Sequence, residues 1–345
     1  MDTPGDASTV AVTGIGSMPG TDSAEAARIV AGELDIPHLV ELPERGPGAD
    51  MLGRTLALVA AATGEFAAET TPDGWRLAGG RSGGDLGRQM RRGVSWLAED
   101  VDRLELELAG FTGRVKVQVT GPWTLAAGVE AARGTRLVAD RGACSDLAAA
   151  LSEALAEHVS TIARRIPGAQ VVVQLDEPSL PTVMAARIRT PSGRGALRVP
   201  EDAELVAGLS MVARAGMDAG AELTVGHCCD RDVPFDVLSR AGLGAVAVDA
   251  ELIGPSADQE VGAWWDSGGV VVLGVVPAVA DPRLGPEALA RRVTALWNRI
   301  GFGVAEVGER TWLSPACGLA GASPQWARGV GGMMREAARM LESSE

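Results

Sequence analysis

The chain has 345 residues, of which 46% are hydrophobic, so it is long enough for one large α/β domain and too apolar to be disordered. Its net charge of −14 would repel a polyanion, and we therefore expect no nucleic-acid partner. No apolar run is long enough to span a bilayer and no basic, apolar signal segment opens the chain, so we expect a cytoplasmic protein with no membrane partner.

Short β-branched, apolar runs alternate with helical patterns along the chain. Several runs are apolar on successive residues, which is typical of strands that are buried on both faces of a parallel sheet. They predict eight strands, in chain order Val10–Thr13, His38–Glu41, Val115–Val119, Val171–Leu175, Glu222–Val225, Gly244–Val248, Val270–Val275 and Thr311–Leu313.

Helical patterns lie between the predicted strands. Their apolar residues recur every three or four positions, which gives each helix one apolar face. Asp22 and Ser323 are suitable N-caps, and Pro324 after Ser323 is favourable at a first helical position. The helices predicted from these patterns cover about 22–34, 85–109, 147–162, 289–300 and the segment from Ser323 onwards.

The stretch 46–84 is longer than a simple connection between two strands. Within it, Asp73-Gly74 followed by Trp75 predicts a hairpin. Eight strands that alternate with helices indicate a parallel barrel. We therefore expect a single domain over residues 1–345, a (β/α)8 TIM barrel in which a hairpin and a long helix are inserted after strand two.

Polar residues occur at the ends of the predicted strands, where the active sites of such barrels lie. Only strand seven ends in glycine and apolar residues alone. From strand one to strand eight, the polar or otherwise distinctive residues are Gly16 and Ser17, Glu41, Thr120, Asp176, His227 and Cys229, Asp249, and Cys317. We expect them to meet on one rim of the barrel.

His227, Cys229 and Cys317 together predict a zinc site. Cysteines in an intracellular chain of this length favour ligand or catalytic roles over a disulfide framework. Zinc prefers imidazole and thiolate ligands, and a catalytic site keeps three protein ligands and one exchangeable position. A His-x-Cys pair alone is more often incidental, but Cys317 and Asp249 at neighbouring strand ends favour the metal site. Cys228 is interpreted as a bystander whose side chain points away.

An exchangeable position on such a site suits a thiol substrate. A free alkyl thiol has a pKa of about 8.5, and coordination to the metal removes its proton. Glu41 and Asp176 on the same rim could hold an ammonium group at a fixed distance from the metal. Without that context, Asp176-Glu177-Pro178 predicts only a turn after a buried strand.

Three further residues are assigned structural roles. Cys144 begins a helix and is interpreted as a small buried hydrophobe. His38 lies inside strand two and is interpreted as a core residue whose polar atoms are hydrogen-bonded. His158 lies beside a helical stripe and is interpreted as a solvated helix residue.

Five motifs occur in one order and cover the chain from about residue 12 to residue 335. They are Gly14-Ile15-Gly16-Ser17-Met18-Pro19, Val119-Thr120-Gly121-Pro122-Trp123-Thr124, Gln174-Leu175-Asp176-Glu177-Pro178-Ser179-Leu180, His227-Cys228-Cys229, and Trp312-Leu313-Ser314-Pro315-Ala316-Cys317-Gly318-Leu319. Together they resemble the cobalamin-independent methionine synthase family, in the form of a free-standing C-terminal catalytic barrel.

The resemblance implies a barrel in which zinc binds the sulfur of homocysteine and a methyl group is transferred to that sulfur. By position, His227, Cys229 and Cys317 match the family's zinc ligands. Asp249 stands where the family has a glutamate ligand, one methylene longer.

The same resemblance implies roles in binding the amino acid. Ile15, Gly16 and Ser17 match the loop that binds the carboxylate of homocysteine. Asp176, the candidate catalytic residue, and Glu41 match the acids that hold its amino group.

Two departures from the family concern the methyl donor. The family has a proton-donating histidine after strand seven and a tryptophan near the folate, whereas Val279 and Gly128 stand at those places here. A folate nitrogen needs a proton in order to leave and a cobalt corrinoid does not, so both departures favour a methyl-corrinoid over methyl-folate. Arg81, in the inserted hairpin, resembles a folate-contacting arginine and keeps methyl-folate open.

The leading hypothesis is a zinc-dependent methyltransferase that converts homocysteine to methionine with a methyl-corrinoid, carried by a partner protein, as donor. The second is a zinc-dependent alkyl-thiol transferase with another thiol acceptor. The third is a non-catalytic zinc- or amino-acid-binding barrel. Homocysteine binding separates the first from the second, and turnover with methylcobalamin separates the first from the third.

Overall fold

The computed structural model describes residues 10–78, 87–190, 193–303, 306 and 308–343. Arg81, assigned above to the inserted hairpin, lies outside the described residues. Among the described helices, none is both long and apolar enough to cross a membrane.

The strands form two separate sheets. Their bounds are β1 Ala11–Val12, β2 Ala68–Thr71, β3 Gly74–Leu77, β4 Arg114–Thr120, β5 Val129–Glu130, β6 Gln170–Asp176, β7 Leu223–Cys228, β8 Ala245–Asp249, β9 Val270–Val276 and β10 Thr311–Pro315. The larger sheet has seven parallel strands in the order β1-β10-β9-β8-β7-β6-β4. These seven strands correspond to seven of the eight that the sequence predicts.

Helices follow the strands and cover the outer face of the curled sheet. Their bounds are α1 Ser23–Glu33, α2 Met51–Thr63, α3 Arg88–Glu107, α4 Pro122–Gly128, α5 Arg141–Arg165, α6 Leu180–Met184, α7 Asp202–Asp218, α8 Phe235–Arg240, α9 Asp258–Asp266, α10 Pro286–Ile300 and α11 Pro324–Glu342. Asp22 caps α1 and Ser323 caps α11 through their side-chain oxygens, as predicted.

The segment 36–41, which contains the predicted strand His38–Glu41, is not a continuous strand. It makes single parallel bridges, Thr13↔Ile36 and Ser17↔Glu41 on one side and His38↔Lys116 on the other. Pro37 has no N–H to donate, so the ladder is interrupted at its start. The prediction of a regular strand over His38–Glu41 is therefore wrong, although the segment lies beside both β1 and β4.

The insertion after this segment contains the predicted hairpin and the predicted long helix. Strands β2 and β3 pair antiparallel around a turn in which Thr71 faces Gly74, and Gly74 has a positive φ of 117°. Helix α3 is 20 residues long. Helix α2 precedes the hairpin and is joined to α3 by a buried ion pair between Arg54 and Asp100, with 2.5 Å between Nη1 and Oδ2.

The inner face of the sheet is apolar at one end and polar at the other. Alternate residues of a strand share a face, so Val172, Gln174 and Asp176 all point inward from β6. The apolar inner cluster consists of Ile15, Ile36, Val172, Val225, Ala245, Ala247, Val272 and Trp312. Above this cluster, towards the carboxyl ends of the strands, the inward side chains are polar. The candidate site lies at this polar end.

The residues assigned structural roles are mostly buried. Cys144 is in the core, as predicted, and Cys228, which was interpreted as a bystander beside Cys229, is in the core as well. His38 is buried in the core as predicted, but its Nδ1 has no hydrogen-bond partner among the described residues, so the prediction that its polar atoms are satisfied is wrong. The prediction of a solvated His158 is wrong, because α5 packs against both α2 and α7 and buries the imidazole. This burial lowers the pKa of His158 to about 4.

Candidate metal centre

His227, Cys229 and Cys317 converge at the carboxyl ends of the strands. His227 lies in β7, Cys229 follows directly, and Cys317 follows β10. One ligand atom from each residue lies within 4.8 Å of the other two. The two sulfur atoms are 3.7 Å apart, close to the roughly 3.8 Å expected for two thiolates bound tetrahedrally to one zinc ion. The described residues therefore contain the predicted His-Cys-Cys group.

The imidazole of His227 is held in the orientation that a metal ligand requires. Its Nδ1 lies 2.7 Å from Oδ1 of Asp176, the residue beside it in the parallel register. Its Nε2 is buried and has no hydrogen-bond partner among the described residues. A carboxylate on one ring nitrogen and an unpartnered second nitrogen are typical of zinc-bound histidine. The donor set and its geometry thus fit zinc.

The thiols of Cys229 and Cys317 lie within hydrogen-bond distance of each other. The hydrogen bond with Cys229 lowers the pKa of Cys317 to about 6, and the nearby His227 adds to this effect. The same contact, together with burial, raises the pKa of Cys229, because a second thiolate beside the first is disfavoured. A pair of this kind titrates as a unit and presents one thiolate near neutral pH. Cys317 is therefore prepared to act as an anionic ligand.

Asp249, predicted as a fourth ligand, lies at the end of β8 beside Gly274 of β9. Its Oδ1 accepts a hydrogen bond from the backbone N–H of Glu251 at 2.9 Å. The group of converging ligand atoms among the described residues does not include it. Its role as a ligand stays a prediction.

Asp176 and Glu41 are both buried on the inner face, at 4% and 6% exposure. Oδ1 of Asp176 accepts from Nε2 of Gln174 at 2.7 Å, in addition to the contact with His227. Oε1 of Glu41 accepts from Nε2 of Gln118 at 3.1 Å. Burial, with a smaller contribution from the charge of Asp176, raises the pKa of Glu41 to about 7. The two acids are thus close enough to interact, and each keeps one oxygen without a partner among the described residues.

The loop after β1 contacts both Glu41 and the segment that carries Cys317. The backbone N–H of Glu41 donates to Gly16 O at 3.1 Å, and the N–H of Leu319 donates to Ser17 O at 2.8 Å. A Cβ atom added to Gly318 would lie 2.1 Å from Oγ of Ser17. Glycine at 318 therefore allows the two loops to approach, which brings the predicted carboxylate loop to the metal centre.

Three polar residues that the sequence analysis missed lie directly beneath the site. Lys116 and Gln118 point inward from β4, and Gln174 points inward from β6. The signal for them was present, because they occupy alternate positions in strands that are otherwise apolar. They connect the loop after β1 to Asp176 and Glu41.

The structure also describes Val279 and Gly128, the two residues that depart from the pattern of the family. Val279 lies in the segment after β9 and is 75% exposed. Gly128 ends α4, and a Cβ atom there would lie 2.8 Å from Cδ1 of Leu52, so a larger residue would require Leu52 to move. Asp281, in the same segment as Val279, accepts a hydrogen bond from the N–H of Arg283, which lowers the pKa of its carboxyl.

Replacement of Glu41 with glutamine is expected to remove a pH-dependent loss of stability. The pKa of Glu41 is raised from 4.5 to about 7, so the folded state binds this proton more tightly than the unfolded chain does. The free energy of unfolding should therefore fall as the pH rises from about 4.5 to about 7, by at most about 3 kcal/mol. Glutamine stays neutral and keeps an oxygen for Gln118, so Glu41→Gln should lack this fall.

Denaturant unfolding at about pH 5 and about pH 8 measures the effect. The exposed Glu69 provides the control, because Glu69→Gln should leave the pH dependence as it is. Identical pH profiles for the unsubstituted protein and Glu41→Gln would contradict the burial of a titrating carboxyl at this position.

Comparison with known proteins agrees with this site. The family model described as the catalytic domain of cobalamin-independent synthase matches residues 106–340. No curated protein matches the chain. A solved structure of a B12-independent methionine synthase from Shewanella sp. W3-18-1, in complex with selenomethionine, has a TM-score of 0.63 and 12% sequence identity, over 97% of this chain and 98% of that one. A candidate phosphonomutase from Burkholderia cenocepacia J2315 has a TM-score of only 0.37 and 17% identity, over 89% and 88% of the two chains.

The structural match supports the fold, and the family match covers the strands and loops that carry Asp176, His227, Cys229 and Cys317. The chain belongs to the cobalamin-independent methionine synthase family.

Proposed function

We propose that the protein is a zinc-dependent methyltransferase that moves a methyl group to the thiol of homocysteine and so forms methionine. The observation that carries this proposal is the convergence of an unpartnered Nε2 of His227 with the sulfur atoms of Cys229 and Cys317, beside two buried acids. Membership of a methionine synthase family supports methyl transfer as the reaction class. The Shewanella enzyme binds selenomethionine, which has the amino-acid skeleton of the proposed product.

Zinc would be held by His227, Cys229 and Cys317, with Asp249 as a proposed fourth ligand from the neighbouring strand end. When bound, zinc lowers the pKa of a coordinated thiol and leaves its sulfur nucleophilic at neutral pH. Asp176 would support this site by accepting a hydrogen bond from the N–H at Nδ1 of His227, which leaves Nε2 free to bind the metal. The cytoplasm would keep these thiols reduced and available.

The acids and the loop after β1 would bind the amino-acid end of homocysteine. Asp176 and Glu41 each have an oxygen without a described partner, and a charged ammonium group is the natural donor to such oxygens. The backbone of Ile15, Gly16 and Ser17 would receive the carboxylate. Asp176 would contact both the substrate and His227, and we therefore propose it as the catalytic residue.

The same segment that carries Glu41 would complete the barrel. Leu39 donates its N–H to Lys116 O at 2.9 Å, and Ile36 donates to Val12 O at 3.0 Å, so 36–41 hydrogen-bonds to both edges of the seven-stranded sheet. We propose that it is the eighth member of a closed (β/α)8 barrel and that residues 1–345 form one domain.

A methyl-corrinoid, delivered by a partner protein, is the proposed donor. Val279 and Gly128 supply neither a proton donor nor a stacking ring, and the lowered pKa of Asp281 makes that carboxyl a poor acid at neutral pH. An alkyl-thiol transferase with another acceptor is the second candidate, because the metal site alone does not specify homocysteine.

Thiol binding to the zinc-loaded protein tests the acceptor. Homocysteine should bind more tightly than 4-mercaptobutanoate, which has the same carbon count and lacks the amine, by about 2–5 kcal/mol because the amine pairs with buried carboxylates. Isothermal titration calorimetry measures both affinities.

Glu41→Gln is the matched variant for this test. It should weaken homocysteine binding and leave 4-mercaptobutanoate unchanged, because only the first ligand has an ammonium group. Equal affinity of the unsubstituted protein for both thiols would instead favour the alkyl-thiol transferase.

A further inference from the structure

Lys116 is a cation buried beneath the candidate site, at 1% exposure. Its ammonium group donates to two neutral oxygens, Ile15 O at 2.9 Å and Oε1 of Gln174 at 2.5 Å. Removal of an ammonium group from water is costly even when it is hydrogen-bonded, and an aliphatic side chain would fill this volume at lower cost. Packing therefore does not explain a lysine at this position. Its presence is better explained by the two groups that its hydrogen bonds orient, the carbonyl of Ile15 and the side-chain amide of Gln174.

The first contact fixes the loop after β1. Ile15 O accepts from both Nζ of Lys116 and Nε2 of Gln174, each at 2.9 Å. The described peptide bonds are all trans, so the N–H of Gly16 is directed opposite to this carbonyl, away from the barrel interior. Neither Gly16 nor Ser17 donates its N–H to another described residue. Two donors beneath Ile15 thus orient free N–H groups above it.

The second contact fixes the side-chain amide of Gln174. An ammonium group can only donate, so the amide end that faces Lys116 must be the oxygen. The NH2 end then faces Oδ1 of Asp176, to which it donates at 2.7 Å. The same NH2 end also donates to Ile15 O at 2.9 Å, so the ammonium group on one side and the two acceptors on the other favour a single amide orientation. Lys116 therefore reinforces the orientation in which Asp176 has a donor beneath it.

The charge of Lys116 acts in the same direction. Burial lowers the pKa of Lys116 to about 8, and the carboxylates of Asp176 and Glu41 partly offset this effect. The ammonium group consequently remains mostly charged at neutral pH and attracts both acids.

We propose that Lys116 is a positioning residue for the amino-acid end of the substrate. Through Ile15 it sets the loop that receives the carboxylate, and through Gln174 it sets the acid that receives the ammonium group. This inference rests on the proposed function and adds one residue that links both halves of substrate recognition without touching the substrate.

Lys116→Met tests the proposal with four ligands titrated into zinc-loaded protein by calorimetry. They are homocysteine, 4-mercaptobutanoate, 3-mercaptopropylamine and 1-propanethiol, which carry both charged groups, the carboxylate, the amine and neither. Homocysteine affinity should fall by about 30-fold or more while that of 1-propanethiol stays within about twofold. Both singly charged thiols should lose affinity, and the zinc content should remain at about one per chain.

Gln174→Met removes the only described side-chain donor to Asp176 apart from His227, but only one of the two donors to Ile15 O, because Lys116 still donates there. The larger loss should then fall on 3-mercaptopropylamine. Lys116→Gln, which retains a donor of smaller size, should give an intermediate result and serves if Lys116→Met does not fold. Thr311→Val replaces a buried, unpartnered hydroxyl in β10 and should leave all four affinities unchanged.

Equal losses for 1-propanethiol and homocysteine in the Lys116 variants would overturn the proposal, because they would indicate general disruption of the barrel. Unchanged homocysteine affinity would overturn it as well. Failure of the proposed function is distinguishable, since the unsubstituted protein would then already bind homocysteine no better than 1-propanethiol.

Discussion

Cys317→Ala is expected to release zinc from the protein while the fold persists. Cys317 lies in a loop after β10, outside the buried cluster that holds the sheet and helices together. Loss of a residue that hydrogen-bonds to a metal ligand typically weakens metal binding by about 10–100-fold. Loss of a ligand itself should therefore weaken zinc binding by more than about 100-fold. Metal analysis after dialysis against a weak chelator measures the zinc content, and circular dichroism measures the fold.

Cys228→Ala is the matched control. Cys228 is adjacent to the ligand Cys229 in sequence, but its thiol is buried in the core and does not belong to the converging group. This variant should lose some stability and keep its zinc. Full zinc retention in both Cys229→Ala and Cys317→Ala would remove the metal centre from the proposed function.

The composition of the candidate site could largely be predicted from the sequence. Parallel strands bring their carboxyl ends to one rim, so residues at those ends meet even when they are far apart in the chain. Asp176 and His227 are 51 positions apart, yet the register places them side by side with 2.7 Å between Oδ1 and Nδ1. Cys317 reaches the same place from the last strand.

The contacts of the polar layer beneath the site could not be predicted in the same way, although the alternate spacing of its polar residues is present in the sequence. Lys116 and Gln174 lie in strands that are buried on both faces, and a pattern with no exposed side does not reveal which residues face the interior of the barrel. Only the curvature of the sheet brings Lys116 of β4 to the carbonyl of Ile15, 101 positions away. The positioning role is therefore visible only in three dimensions.

Burial also explains the elements that the sequence did not reveal. Helix α2 buries seven of its 13 residues, so it lacks the one-sided apolar stripe that identifies a surface helix. His158 was assigned to solvent because it lies beside a stripe, but α5 is covered by helices on two sides. Both cases follow from the position of these helices between other layers.

Methylcobalamin, free or carried by a protein, is expected to support methionine formation better than any methyl-folate. A folate nitrogen needs a proton as it leaves, and general acid catalysis typically contributes about 10²–10⁴-fold, so methyl-folate should be slower by about that factor. Val279 stands at the place where the resemblance described above implies a proton-donating histidine. Of the three histidines, His227 belongs to the metal group, and His38 and His158 are buried in the core.

Single-turnover assays with each donor at matched concentration measure this difference. Val279→His adds an imidazole at an exposed position and should raise the rate with methyl-folate selectively, whereas Val279→Leu should change neither rate. Methyl-folate turnover as fast as methylcobalamin turnover in the unsubstituted protein would end the corrinoid hypothesis. Asp281 would then be the acid to examine, although the hydrogen bond from Arg283 lowers its pKa. Asp281→Asn should in that case abolish the methyl-folate reaction. Methylcobalamin turnover should continue in this variant, because the cobalt leaving group needs no proton.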